Sequence, residues 1–184
     1  MTHEPIVFAN VVDREGAERL EGVDQAVHVM EQFDQRLSWD DVEWLRGIWD
    51  GPIMLKGIQT VEDARRAVDH GIEGVGLSNH GGRQLDDAPA PIDLVEPVAQ
   101  ELQGAATIIV DGGVRRGSDI VKAIALGADG VSVGRPYLYG LGAGGERGVE
   151  KVLRFFADGL ARTMALCGRT RVSDIDRDLV RRRE

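Results

Sequence analysis

A single cysteine, Cys167, stands in 184 residues. No intramolecular disulfide framework is available, and the chain suits a reducing compartment. Cys167 lies in an apolar helical pattern, which reads as a buried core thiol rather than a nucleophile. Positive charge is also scarce: 22 Lys and Arg against 31 Asp and Glu leave a net charge of -9. Nucleic-acid binding needs a basic face for the phosphates, and the one basic cluster, Arg181, Arg182 and Arg183, reads as a solvated tail. No apolar run approaches a membrane span. The start, MTHEPIVFANVVDREG, lacks the apolar stretch of a signal peptide, so a cytoplasmic location is the expectation. His3, His28 and His70 have no spacing with one another or with Cys167 that would make a metal site.

What is present is an ordinary globular composition, 42% hydrophobic, long enough for one compact domain with a sizeable core. Four short apolar runs alternate with helical patterns: Pro52 to Lys56, Gly74 to Ser78, Thr107 to Val110 and Gly130 to Val133. Each is too short and too evenly apolar for a helix, and each reads as a strand buried on both faces. Thr60 caps a predicted helix from Val61 to His70, with Asp63 in the position of a capping-box acid and Gly71 to stop it. Ser118 is the expected cap of a second, Asp119 to Leu126, ended by Gly127. A third, Glu146 to Leu166, spaces Val149, Val152, Leu153, Phe156, Leu160 and Met164 along one stripe. Strand and helix in alternation mean a parallel sheet, either an open doubly wound one or part of a (β/α) barrel. Ahead of it, Val23 to Phe33 and Trp39 to Trp49, the latter begun by Ser38, read as short helices in a long connection.

The polar residues fall where such folds gather function, at the C-terminal ends of strands. Lys56-Gly57, Ser78-Asn79-His80-Gly81-Gly82-Arg83, Asp111-Gly112-Gly113 and Gly134-Arg135-Pro136 end the four runs in turn. The last two groups suit a phosphate cradle: glycines let the backbone approach an anion, free amides of the next helix donate, and Arg115 and Arg135 add charge. Glycines that merely turn the chain would not account for the two arginines. His80 is the candidate proton acceptor, because imidazole exchanges a proton near neutral pH without large perturbation. Arg83, three residues on, is able to grip a carboxylate with two prongs.

The segments LKGIQTVEDARRAVDHG, SNHGGRQLD and DGGVRRGSDIVKAIALGADGVSVGRP resemble the second half of the glycolate oxidase and L-lactate dehydrogenase family of FMN-dependent enzymes. The likeness runs from about Phe33 to about Ile175 with order and spacing kept. It implies a TIM-barrel (β/α)8 type of α/β fold, of which this chain supplies the C-terminal half-barrel: four parallel strands with outer helices in residues 52–184, after loops and short helices in 1–51. It implies FMN as cofactor, a small L-2-hydroxy carboxylate as substrate and a 2-oxo acid as product. Lys56 would hold the N1/C2 carbonyl edge of the flavin, and Ser78 would contact it from the next strand end. Asp111, Gly112, Gly113, Arg115, Gly134 and Arg135 would hold the ribityl chain and phosphate. His80 would take a proton from the hydroxy acid, and Arg83 would bind its carboxylate.

The family's first four βα units, with an aspartate that pairs with the catalytic histidine, have no counterpart in this sequence. The expectations are a truncated gene, a fragment completed by an N-terminal half-barrel, or a half-barrel that pairs with itself as a homo-oligomer. The start inside what resembles the family's long fourth loop favours the first. The chain alone is then expected to bind FMN weakly and turn over poorly. The alternatives are a non-catalytic phosphate-ligand-binding half-barrel and a relative of inosine-monophosphate dehydrogenase. The latter leaves SNHGGRQ without a reason and would need a thiol at a strand end, far from Cys167.

Overall fold

The computed structural model describes residues 33, 34 and 36–181. The helix expected over Val23 to Phe33 lies outside them save for its last residue. Helix α1, Trp39–Ile48, begins where Ser38 predicts: its Oγ accepts the Asp40 amide at 3.2 Å, and the Asp41 carboxylate accepts the Ser38 amide at 2.6 Å. These bonds satisfy amides that the first helical turn leaves without partners. The chain divides into two units, Met1–Leu45 and Arg46–Glu184, and the sheet lies wholly in the second.

Strands β1 (Met54–Ile58), β2 (Gly74–Leu77), β3 (Thr107–Asp111) and β4 (Gly130–Ser132) form one sheet in the order β1-β2-β3-β4. All three pairings are parallel. That order decides between the two predicted outcomes. A doubly wound sheet reverses its strand order at a switch point, whereas each strand here is added beside the one before it, as in a (β/α) barrel. Helices α2 (Val61–Asp69), α3 (Pro91–Leu102), α4 (Gly117–Ala125) and α5 (Arg135–Leu166) follow the strands in turn.

Only β2 is buried along its whole length, and this corrects the expectation of four fully buried strands. Strands β1 and β4 are the sheet's edges, and residues of both stay exposed. The first strand also starts two residues later than predicted: Pro52 has no amide to give to a ladder, and the Ile53 amide goes to the Glu73 carboxylate at 2.8 Å. The core is aliphatic: Val75 and Leu77 of β2, Val110 of β3 and Val95 and Val98 of α3 are all buried.

The helix readings are corrected at two points. Helix α3 went unread. It opens on Pro91, contains Pro97, and is held by buried Val95, Val98 and Leu102. Helix α4 is capped at Arg116, not Ser118; Asp119, its third residue, curls back to accept the amides of Arg115 and Arg116, both at 3.0 Å. The helix expected from Glu146 to Leu166 is present as the second part of α5, beyond a kink at Gly144 and Gly145, and a further helical stretch from Arg135, not expected from the sequence, precedes it. Phe156 and Met164 of the expected stripe are buried, while Leu153 is exposed. Cys167 terminates α5 and is exposed as well, so it is not a core thiol. The cap at Thr60 stands as read: its Oγ1 accepts the Asp63 amide at 3.0 Å.

Candidate functional site

The C-terminal ends of the first three strands are tied together by charged and polar side chains. In β1, the register slips between Lys56 and Ile58, where Gly57 adopts φ +100°. Lys56 Nζ lies 2.7 Å from Asp111 Oδ2 at the end of β3 and donates to Ser78 Oγ at 3.0 Å. Ser78, the residue after β2, donates its own proton to Asp111 Oδ1 at 2.6 Å. Its Oγ also accepts the His80 amide at 3.1 Å. The Lys56 side chain is 58% exposed and that of Asp111 18%, so water screens the pair and its worth to stability is small. The arrangement fixes a cation at the sheet's end.

The loop after β2 is built from left-handed backbone. His80, Gly81 and Gly82 have φ of +54°, +70° and +70°, a run that glycine enters freely and histidine only at a cost of about 1–2 kcal/mol. Asn79 braces the turn: its Oδ1 accepts the Gly82 amide at 3.2 Å, and its Nδ2 donates to the Pro89 carbonyl at 3.3 Å. From the first residue of α5, Arg135 Nη2 reaches back to donate to the Gly81 carbonyl at 3.0 Å. A Cβ on Gly81 would sit 2.9 Å from that nitrogen, a contact the flexible arginine can relieve, so it is the φ of +70° that favours glycine here.

Beside this network a cleft of about 390 Å³ is lined by Asn79, Pro91, Gly112, Gly113, Lys122 and Arg135 among others. Lys56, Ser78, His80 and Asp111 do not line it. Gly112 and Gly113 follow Asp111 directly, with φ of +103° and +76°.

The predicted residues therefore sort as follows. Lys56, Ser78 and Asp111 share hydrogen bonds, and the His80 backbone and Arg135 join through the loop after β2. Gly112, Gly113 and Arg135 border the cleft, and Gly134 leads into α5. Arg83 and Arg115 are exposed on their loops and are outside the cleft lining. The expectation of free amides at the helix after Gly113 is corrected, since Asp119 occupies those of Arg115 and Arg116. Helix α5, by contrast, has no side-chain cap at its start, so its first amides keep their attraction for an anion. Asn79, Asp119 and Lys122 were not singled out in the sequence. For Asn79 the signal was its place inside SNHGGR; for Asp119 it was an acid three residues into a helix.

The residues fit a phosphate ester carried on a flat heterocycle. A Cβ at Gly113 or Gly134 would meet nothing within 4 Å, so space lies open against both glycines, and Arg135 supplies a forked cation beside them. The Lys56 ammonium stands at the same end of the sheet, where charge on a bound ring could be balanced.

Comparisons with known proteins agree with this architecture. The family model of the FMN-dependent dehydrogenases matches residues 3–182. A peroxisomal (S)-2-hydroxyacid oxidase of Arabidopsis thaliana is 52% identical over 149 residues, covering 81% of this chain and 41% of the relative. 2-Hydroxyacid oxidase 1 of Mus musculus is 46% identical over 157 residues, covering 85% and 42%. Among solved structures, mandelate oxidase with (S)-4-hydroxymandelic acid superposes with a TM-score of 0.79 at 42% identity, covering 88% of this chain and 46% of that one. The chain thus spans about two fifths of the length of the curated relatives it matches.

Proposed function

The chain belongs to the FMN-dependent dehydrogenase family, and from that premise we propose that it serves the FMN-dependent oxidation of a small L-2-hydroxy acid, of lactate or glycolate type, to the 2-oxo acid. The observation that carries this reading is the bonded set of Lys56, Ser78 and Asp111 across three strand ends, with Arg135 joined to the loop that bears His80.

Bound FMN supplies the acceptor for the two electrons that leave the substrate carbon. Residues of this chain contribute binding, orientation and proton transfer. Gly112, Gly113, Gly134 and Arg135 hold the phosphate, and Lys56 provides a fixed positive charge beside the ring system. Arg83, exposed on the loop after β2, orients the substrate by its carboxylate. His80 accepts a proton as the alcohol becomes a carbonyl. Restraint of the His80 and Gly81 backbone by Ser78 and Arg135 limits the conformations the loop must search, which lowers the entropic cost of reaching a reactive pose.

The test is anaerobic. The chain is saturated with FMN, L-lactate or glycolate is added, and loss of the flavin's visible absorbance is followed. One turnover suffices, so slow turnover is no obstacle. Bleaching that disappears in His80→Gln is the expected result. A flavin that stays oxidised at saturating hydroxy acid overturns the proposal.

A further inference from the structure

Most of the hydrogen bonds that hold the loop after β2 are local. The His80 amide donates to Ser78 Oγ at 3.1 Å, and the Gly82 amide to the Asn79 carbonyl at 3.0 Å and its Oδ1 at 3.2 Å. A further bond comes from another strand end: Arg135 Nη2 donates to the Gly81 carbonyl at 3.0 Å. What this bond closes makes it matter. His80, Gly81 and Gly82 run at φ of +54°, +70° and +70°. Two glycines in succession enter either hand of the backbone with ease, so local bonds alone leave many paths from His80 to Arg83. A non-glycine residue such as His80 persists at positive φ only where its surroundings hold it.

The side chain that makes this tie also borders the cleft, beside Gly112 and Gly113. A guanidinium presents several N–H donors in a rigid planar fork. Gly81 takes one of them, and among the described residues the Arg135 side chain has no other bond, so the rest of the fork is available to a phosphate. Arg135 is exposed, and holding so long a side chain in one rotamer costs entropy. A phosphate on the fork fixes the rotamer that the Gly81 bond also needs. One restraint then serves both partners, which is positive coupling without a change of fold. By reciprocity, the ordered loop favours the phosphate as much as the phosphate favours the loop. From this we infer that Arg135 is a positioning residue for the substrate loop as well as a phosphate ligand: an occupied phosphate site holds the Gly81 carbonyl, and through it orders the stretch that carries His80 and Arg83. The inference rests on the proposed oxidation for the identity of the phosphate ester and for the use made of His80 and Arg83.

Amide hydrogen exchange of Gly82 in the full chain reads the order of the loop without turnover. Saturating FMN is expected to slow it about fivefold, the lower end of ordinary coupling, whereas saturating riboflavin, which lacks the phosphate, leaves it nearly unchanged. Gly82→Ala supplies the reciprocal measurement. Its Cβ would meet nothing within 4 Å, so alanine strains the loop through the φ of +70° alone. It is expected to weaken FMN about threefold in the parent by the same linkage and to add no loss in Arg135→Ala, where the tie is gone. Should Arg135→Ala not fold, Arg135→Gln takes its place. A Gly82→Ala penalty of equal size with and without the arginine means a direct clash with the ligand and overturns the inference. So does FMN that binds without slowing Gly82, or slowing that riboflavin matches; either result leaves the proposed oxidation standing. FMN that slows Gly82 yet stays oxidised with hydroxy acid present refutes the oxidation and keeps the coupling. A chain that takes up no FMN refutes both.

Discussion

Replacing Gly117 by alanine tests how the loop after β3 is held in place. Helices α4 and α5 meet backbone to backbone at Gly117 and Gly159. A Cβ on Gly117 would lie 2.0 Å from the Leu160 nitrogen, 2.1 Å from the Gly159 carbonyl carbon and 2.7 Å from its Cα. These are main-chain atoms, so no rotamer relieves the clash. Ordinary contact begins near 3.5 Å, and α5 must therefore retreat by about 1.5 Å. It is not free to do so, because Leu160 and Met164 of α5 pack with Val121 and Ala125 of α4 and with Ile175 just beyond α5. Overpacking of this kind costs about 1–3 kcal/mol, and backbone-on-backbone contact belongs at the upper end. For a chain of this size that is a fall in Tm of roughly 6–12 °C. Gly142→Ala is the matched control, since a Cβ there meets nothing within 4 Å and alanine gains up to about 1 kcal/mol of helix propensity. Thermal melts and urea titrations on both variants measure the contrast. If Gly117→Ala melts within about 1 °C of the parent, α4 and α5 are not in the contact described, and the anchoring of the segment between Asp111 and Gly117 needs another cause.

Arg135→Ala should weaken FMN at least tenfold while leaving the affinity for riboflavin, which lacks the phosphate, nearly unchanged; equal losses for both would remove Arg135 from the phosphate site. Glu73 accepts the Ile53 amide at 2.8 Å and the Arg46 guanidinium at 2.7 Å, and these two, the amide first, hold its carboxyl below the ordinary carboxylate range. A folded-state value below the unfolded one contributes stability above the ordinary glutamate value of about 4.3 that is lost as pH falls through the lowered value. Urea midpoints of Glu73→Gln and the parent should therefore differ at neutral pH and converge in acid, and a pH-independent gap would contradict the assignment. Thr60→Ala removes the acceptor for the Asp63 amide and should cost about 0.5–2 kcal/mol in urea unfolding, with no loss meaning that water replaces the cap.

The sheet was legible because short aliphatic runs ending in glycine and charge have few other meanings, and the strand ends that carry Lys56, Ser78, Asp111 and Arg135 were legible for the same reason. Helix α3 was not. Proline generally disrupts a helix, and Pro91 and Pro97 both lie in α3, yet Pro91 stands in the first turn, where a missing amide costs nothing. Burial of Val95, Val98 and Leu102 outweighs the interior Pro97, a tertiary term that no local pattern displays. Cys167 failed in the opposite direction: it continues the apolar spacing of α5, but the helix ends at Leu166 and leaves the thiol exposed. The capture of the Arg115 and Arg116 amides by Asp119 was hidden because it depends on which way a side chain turns at a helix start. Sequence spacing shows that an acid is present there; it does not show that the acid consumes the donors a phosphate would want.

An acidic chain can present the proposed phosphate site only where its nearby carboxylates are already paired. The net charge is -9, and two carboxylates, Asp111 and Asp119, stand close to the glycines of the cleft. Neither is left to repel a phosphate freely. Asp111 gives one oxygen to Lys56 and the other to Ser78. Asp119 accepts two backbone amides with one oxygen and has Lys122 Nζ 3.5 Å from the other. Arg135 is treated differently: its bond goes to the neutral carbonyl of Gly81, which orients the guanidinium without cancelling its charge. Local pairing of acids and neutral tethering of the arginine together leave a positive field at the start of α5, where the helix dipole adds to it. On the proposed reading, the strength of phosphate binding is set by who pairs with whom at the strand ends, and total charge has little say beyond about one Debye length.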